Sequence, residues 1–284
     1  MKISNGANIF DGRALAEEIK EKLKKEVKAL GKKLRLVAVL AENRRSSLSF
    51  VKRKQIFGRD IGIDVEIKRP PENVLNSRKK FRSWLASIVH EEASHGIVIQ
   101  LPLPENLDKK RQYFLDSIIS EKDVDILSSC SFGKFATGQL DIQPPVVEAV
   151  SLICQRENIN LNNKNIVVVG AGTLVGRPAA VWLLKERLPF SLLVRDTPHF
   201  LEVLSRADVI ISGVGQAGLI QTDMVKEGVI AFDAGASSEA GEIKGDLDPK
   251  IAGKASFFTP VPGGIGPLTV AALFKNLIAL VKTK

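Results

Sequence analysis

A chain of 284 residues that is 44% hydrophobic is long enough to bury sizeable cores, in two domains or one large one, and has none of the composition of a disordered protein. Its 41 Lys and Arg against 32 Asp and Glu give a formal charge of +9, which favours anionic ligands of any kind; one Tyr and two Trp supply no stacking aromatics between the cations, which argues against nucleic acid as the partner. Cys130 and Cys154 form no C-x-x-C pair, so a disulfide framework and a structural zinc site are excluded, and with no apolar leader and no uninterrupted apolar run of about 18 residues the expectation is a cytoplasmic protein without a membrane partner.

Leu15, Ile19, Leu23, Val27 and Leu30 recur at helical spacing with Gly31 where a C-cap belongs, so the first predicted element is an amphipathic helix. LRLVAVL (34–40), apolar but for Arg35, reads as a parallel strand covered on both faces. A helix is expected from Ser46 or Ser47, which are good N-caps, and a short strand at VEIK before the Pro70-Pro71 break. Residues 76–93 read as helix, and GIVIQLPLP (96–104) as a buried strand ended by its prolines. After a polar stretch from Ser128 to Gln143 the alternation tightens: NIVVVG, a helix from about Val175, SLLVR, a helix near 198–205, DVIISGVG and GVIAFDAG. Short strands parted by short helices predict a doubly wound parallel sheet. The turn-rich FFTPVPGGIGPLT (257–269) then runs into an apolar helix.

VVVGAGTLVGRP sets Gly170, Gly172 and Gly176 directly after a strand and at the opening of a helix, where glycines let the backbone approach a phosphate and helix amides attract its charge. The spacing is one residue longer than the usual dinucleotide fingerprint, and a tight turn that binds nothing is the plain alternative. Thr173, Val175 and Arg177 share this loop, and Gly215 follows the DVIIS strand; all are candidate cofactor contacts. The strand after the glycine loop ends at Arg195 and Asp196. An acid there bonds ribose hydroxyls and an arginine pairs with a 2'-phosphate, so Arg195 favours NADP, with NAD the alternative.

In SFVKRK, helical spacing puts Phe50 and Lys54 on one face, with Lys52 and Arg53 pointing elsewhere. An amine against apolar neighbours loses hydration, which lowers its pKa and fits it for proton transfer; a solvated lysine is the plain alternative. Gln100 is an amide within an apolar strand and needs partners, while Asp125, between Val124 and Ile126, is either a helix cap or an acceptor for a ligand's N–H groups. His90, His95 and His199 are poorly spaced for a metal.

In order and at matching distances, F-V-x-x-K, GIVIQLPLP, KDVD, VVVGAGTLVGRP, DAG, GDLD and TPVPGGIGPLT resemble the bifunctional methylenetetrahydrofolate dehydrogenase/cyclohydrolase (FolD) family over nearly the whole chain. The resemblance implies an α/β protein of two domains: an N-terminal three-layer α/β domain (1–145 with 266–284) that binds folate, and a Rossmann-like doubly wound parallel sheet (146–265) that binds the dinucleotide, with a cleft between them. It implies Lys54 as general acid/base, Gln100 as the residue that holds it, and Asp125 as the anchor of the pterin ring; Phe50 stacks on the aminobenzoyl group, and Pro262, Gly263, Gly264 and Ile265 form a loop against substrate and nicotinamide. The implied reactions are oxidation of methylenetetrahydrofolate to the methenyl form with NADP and hydrolysis of that product to formyltetrahydrofolate, by a homodimer without a metal.

The chain also departs from the family pattern. Phe50 replaces a tyrosine, which bears chiefly on the hydrolytic step, and Ile126 replaces a glycine after KDVD. PPVVEA (144–149) stands for P-C-T-P-x-G with Val146 in the threonine position, Gly172 for a serine, and Val194-Arg195 for His-Ser. These changes gather around the cofactor and the proton-transfer site. The alternative expectations are therefore a descendant that binds folate or nucleotide without full turnover, and a dinucleotide enzyme with another substrate.

Overall fold

The computed structural model describes residues 8–239 and 242–283. The strands are β1 (Asn8–Ile9), β2 (Arg35–Val39), β3 (Asp64–Lys68), β4 (Gly96–Ile99), β5 (Ile166–Val169), β6 (Phe190–Leu193), β7 (Val209–Ser212), β8 (Ile230–Asp233), β9 (Ser237–Glu239), β10 (Glu242–Lys244) and β11 (Phe257–Thr259). The chain divides into two compact units, one holding the residues up to Ala16 with Pro145–Thr269, the other Glu17–Pro144 with the residues from Val270 onward. Both borders near the ends fall inside helices, Gly12–Leu30 and Ile265–Lys282.

The unit built on Glu17–Pro144 centres on a three-stranded parallel sheet in the order β3-β2-β4, with Val37 opposite both Glu66 and Ile97. Leu36 to Val39 are fully buried, as continuous apolar strands require when both faces are covered. On one face Val37, Val39, Ile97 and Ile99 pack with Phe81, Leu85 and Ile88 of the helix Arg78–Val89 and with Phe114 and Leu115. The helix Arg45–Ile61 lies against β3, where a Cβ on Gly58 would stand 2.4 Å from Val65, and a Cβ on Gly96 would stand 2.9 Å from Leu277 of the last helix. That last helix, Ile265–Lys282, is long and apolar enough to cross a membrane by length and composition, with a mean hydropathy of 1.5, and 67% of it is buried within the protein.

Three sequence boundaries shift. The helix expected from Ser46 or Ser47 begins at Arg45, with extended Arg44 as its N-cap and no side-chain cap bond; Ser47 is instead turned inward, 1% exposed. The segment 76–93 holds one helix, Arg78–Val89, capped by Ser77 accepting from the Lys80 N–H, behind a separate turn of helix at Glu72–Leu75. The strand at 96–104 stops at Ile99, since Pro102 and Pro104 bring no ladder N–H.

The other unit carries a six-stranded sheet in the order β1-β11-β8-β7-β5-β6, parallel throughout. Its strands β5 and β7 are buried along their whole length. β1 corrects the sequence division, which leaves residues 1–145 together: Asn8 pairs with Phe257 and Ile9 with Phe258, so the chain's first described residues extend the second sheet. β9 and β10 pair antiparallel as a separate two-stranded sheet that the sequence reading passes over. From β5 the chain goes to β6 on one side and then to β7 on the other, so the topological switch point lies between β5 and β7. In doubly wound sheets ligands bind there, at the carboxyl ends of the strands.

Candidate active site and cofactor site

In the Glu17–Pro144 unit, Lys54 Nζ donates to Gln100 Oε1 at 2.8 Å. The helix Arg45–Ile61 brings the lysine, and the end of β4 brings the glutamine, whose own N–H bonds the Val39 carbonyl and whose Nε2 donates to the Leu101 carbonyl at 2.9 Å. Both ends of that amide are thus occupied, which fixes its oxygen toward the amine. Burial holds the Lys54 pKa below the usual lysine value, and the charge of Asp125 only partly opposes this. Burial likewise pushes Asp125 up to about 6 despite the lysine. Each keeps some solvent contact, so both are desolvated yet reachable.

A second lysine shows the contrast. Lys122 is buried and donates to the carbonyls of Val89 and Glu91, each at 2.8 Å, and to Ser94 Oγ at 2.9 Å. Three acceptors match three N–H donors, so Lys122 is a structural tie. Lys54 makes one such bond among the described residues, to Gln100. The two aspartates divide in the same way. Asp123, 0% exposed, accepts the N–H groups of Leu127 and Ser128 at 3.3 and 2.8 Å. Asp125 accepts no hydrogen bond among the described residues, which does not fit the helix-cap reading, and it faces the charge of Lys54.

Phe50 is half-buried on the Lys54 helix, while Lys52 and Arg53 are exposed. Arg53 does not point wholly elsewhere: its guanidinium carbon sits 5.7 Å from the Phe50 ring centre. Ile126 is fully buried with φ 57, a left-handed conformation that a β-branched residue adopts only under constraint. A left-handed backbone here is the conformation that glycine adopts without strain.

Two further residues take places that the sequence reading did not give them. Ser47, one helical turn before Phe50, is buried with its Oγ unpartnered. Asn276 is 2% exposed and its Nδ2 donates to the carbonyls of Val124 at 2.9 Å and Gln143 at 2.8 Å, tying down the segment that carries Asp125. An uncharged amide inside the apolar helix VAALFKNLIALV was the available signal.

In the other unit, the loop after β5 has Gly170 at φ 95, and a Cβ on Gly176 would stand 1.8 Å from the Gly170 carbonyl oxygen. The backbone crosses itself as closely as atoms permit. The helix Gly176–Lys185 follows, with Val175 as a cap residue that offers no side-chain acceptor, Arg177 N–H closing on the Gly172 carbonyl, and the Thr173 side of the loop open. Gly215, φ 79, lies in the loop after β7, and the two loops touch: a Cβ on Gly213 would meet Val175 at 2.2 Å. The glycine cradle at the switch point has the shape a pyrophosphate requires. One strand over, Arg195 and Asp196 sit exposed on a turn closed by Thr197 N–H to the Val194 carbonyl at 3.0 Å, and Arg195 makes no ion pair among the described residues.

Pro262, Gly263, Gly264 and Ile265 belong to this same unit rather than to the unit of Lys54. Gly264 N–H bonds the Pro260 carbonyl, Gly12 N–H bonds the Gly263 carbonyl at 2.9 Å, and a Cβ on Gly12 would stand 1.8 Å from the Gly264 oxygen. Gly263, φ 115, and the FDG segment at 10–12 together hold the loop's course.

Two family models match the chain, the catalytic domain of tetrahydrofolate dehydrogenase/cyclohydrolase over residues 10–125 and its NAD(P)-binding domain over 144–284. The chain belongs to that family. It is 38% identical over 284 residues to the bifunctional protein FolD of Hydrogenobaculum, covering 98% of this chain and 99% of that one. The crystal structure of the Campylobacter jejuni FolD methylenetetrahydrofolate dehydrogenase/cyclohydrolase superposes with a TM-score of 0.89 at 34% identity, over 98% of this chain and 99% of that one. The Trypanosoma brucei enzyme, solved with NADP and an inhibitor, gives the same TM-score of 0.89 at 29% identity over 98% of each chain. As a family member the protein is a tetrahydrofolate dehydrogenase/cyclohydrolase, with the two α/β domains and the nicotinamide dinucleotide site that this entails.

Proposed function

We propose that this enzyme oxidises 5,10-methylenetetrahydrofolate to the 5,10-methenyl form with NADP and hydrolyses that product to 10-formyltetrahydrofolate, with Lys54 as the proton-transfer group of the second step. The bond from Lys54 Nζ to Gln100 Oε1 at 2.8 Å carries the reading. A desolvated amine is neutral in a larger fraction of molecules at neutral pH, and the neutral form accepts a proton from the water that attacks the methenyl carbon. As ammonium it returns that proton to the leaving ring nitrogen. Gln100 occupies one N–H and so orients the nitrogen, and Phe50 packs on the substrate's aromatic portion. Asp125, ionised above about 6, accepts pterin N–H groups. The pair forms without a tyrosyl hydroxyl at position 50, which supports retention of hydrolysis.

NADP, when bound, supplies the hydride acceptor for the first step. The glycine cradle from Gly170 to Arg177 and the Gly215 loop would hold it, and Arg195, which makes no ion pair among the described residues, would take the 2'-phosphate. Oxidation then depends on positioning, to which Pro262–Ile265 contribute. The molecule works as a homodimer in this reading, supported by the edge strand β6, where Leu192 is exposed, with Val194 exposed directly after it.

The test is a paired assay of dehydrogenation and methenyl hydrolysis. Lys54→Met should lower hydrolysis by about a hundred- to ten-thousand-fold, with KM for the folate changed no more than a few-fold. Hydrolysis that survives the substitution refutes the role of Lys54.

A further inference from the structure

The motifs DAG (233–235) and GDLD (245–248) meet beside the ends of β7 and β8. Asp233 is 1% exposed and accepts the N–H groups of Gly235, Asp246 and Leu247 at 3.0, 3.1 and 3.0 Å. Asp246 is 0% exposed and accepts four donors from one loop: Ser212 Oγ at 2.8 Å, Val214 N at 2.6 Å, Gly215 N at 2.8 Å and Gln216 N at 2.9 Å. Each motif's glycine makes room for the other motif's carboxylate. A Cβ on Gly235 would stand 2.2 Å from the Asp246 carboxyl carbon, and one on Gly245 would stand 2.0 Å from Asp233 Oδ2. The motifs are thus two halves of one clasp.

The loop held by the clasp is the far wall of the switch point. Val214 lies 3.1 Å from the position of a Cβ on Gly170, so the segment Ser212–Gln216 and the glycine loop form one packed surface at the ends of the adjacent strands β5 and β7. Val214, Gly215 and Gln216 are exposed on their outer side while their amides turn inward to the buried carboxylate. We propose that Asp246 is a positioning residue for the dinucleotide, drawing the amides of Val214, Gly215 and Gln216 inward so that the loop presents a preformed wall to NADP beside the glycine cradle. Asp233 supports it from behind by fixing the backbone of Asp246 and Leu247. Burial pushes Asp233 up to about 7 even with three amide donors, so the fold retains a desolvated acid to keep this arrangement. The role rests on the reading of the cradle as the NADP site.

The experiment is Asp246→Asn in the full-length chain, with NADP affinity by calorimetry and steady-state kinetics for the oxidation. The amide group keeps the size of the carboxylate but turns one acceptor into a donor that faces N–H groups. KM and Kd for NADP should rise about tenfold or more, with kcat at saturating NADP within about threefold of wild type. Unchanged NADP affinity in a folded variant, or a fall in kcat at unchanged KM, overturns the positioning role. If the variant does not fold, Ser212→Ala removes one donor from the same carboxylate, and its Kd for NADP should still rise; a wild-type Kd there refutes the proposal. Wild-type protein that binds no NADP removes the cofactor reading itself, a result distinct from either.

Discussion

Asp125→Asn should make the folded protein more stable while making the enzyme worse. An ordinary aspartate titrates near 3.8 and Asp125 near about 6, a difference equivalent to about 3 kcal/mol at most between the folded and unfolded states. The sign follows from the direction. Below the ordinary aspartate range both states hold the proton and the folded state has no penalty; as pH rises from there through about 6 the unfolded chain ionises first, and stability is lost until the folded carboxylate ionises too. Asparagine cannot ionise, so the variant escapes this loss. The attraction of Lys54 is already contained in that difference, and solvent at the partly exposed carboxylate screens the remainder, so the realised gain should be about 1–2 kcal/mol. Urea titrations of both proteins near pH 4 and near pH 8 measure it: at the higher pH the variant's midpoint should lie above wild type by about half a molar, and at the lower pH the two should nearly coincide. KM for the folate should rise in the same variant. A gain of equal size at both pH values, or none at the higher one, refutes the account of Asp125 as a desolvated, unpartnered carboxylate.

Arg195→Ala should raise KM for NADP by about ten- to a hundredfold, the worth of a charge-assisted hydrogen bond to phosphate, and leave KM for NAD unchanged; equal effects on the two cofactors in steady-state assays count against a 2'-phosphate contact. Ile126→Gly relieves a left-handed conformation worth about 1–2 kcal/mol but removes a buried side chain worth about 3–5, so the variant should melt several degrees lower; a higher melting temperature refutes the weighting of burial over strain.

The elements that carry many apolar residues in register were legible in the chain. β2, β5, β7 and β8 announce themselves as apolar runs broken at most by one terminal residue, and the glycine loop announces itself by its place between a strand and a helix. Gln100 was legible as an amide following an apolar strand and Lys54 as an amine that shares a helix face with Phe50, and the 2.8 Å bond between them joins the two signals. β1 was not legible, because two residues have no period and its partner Phe257 lies far along the chain. The clasp was not legible either: an aspartate beside a glycine reads as a turn, and only the fold shows that each glycine vacates the space that the other motif's carboxylate fills. Ser47 was read as a cap from its residue type, whereas its position on the buried face of the helix decided its place.

The segment from Lys122 to Ser128 shows how one reactive group is held ready by satisfied ones. Lys122 spends its three donors on Val89, Glu91 and Ser94, Asp123 spends its carboxylate on the amides of Leu127 and Ser128, and Asn276 holds the Val124 carbonyl. With the backbone fixed on both sides, Ile126 has no way to relax out of φ 57, and the strain of a β-branched residue there is carried by bonds formed around it. A glycine at this position would need no such support, but it would also let the segment move. The isoleucine adds buried apolar surface at the same point, so the chain exchanges conformational ease for a stiffer mount. What that mount presents is Asp125, the member of the segment whose carboxylate accepts no hydrogen bond among the described residues, within the electrostatic reach of Lys54. If Asp125 binds the folate as proposed, loosening any of the three ties should raise KM for the folate before it lowers the melting temperature, because among the described residues no hydrogen bond holds that carboxylate in place.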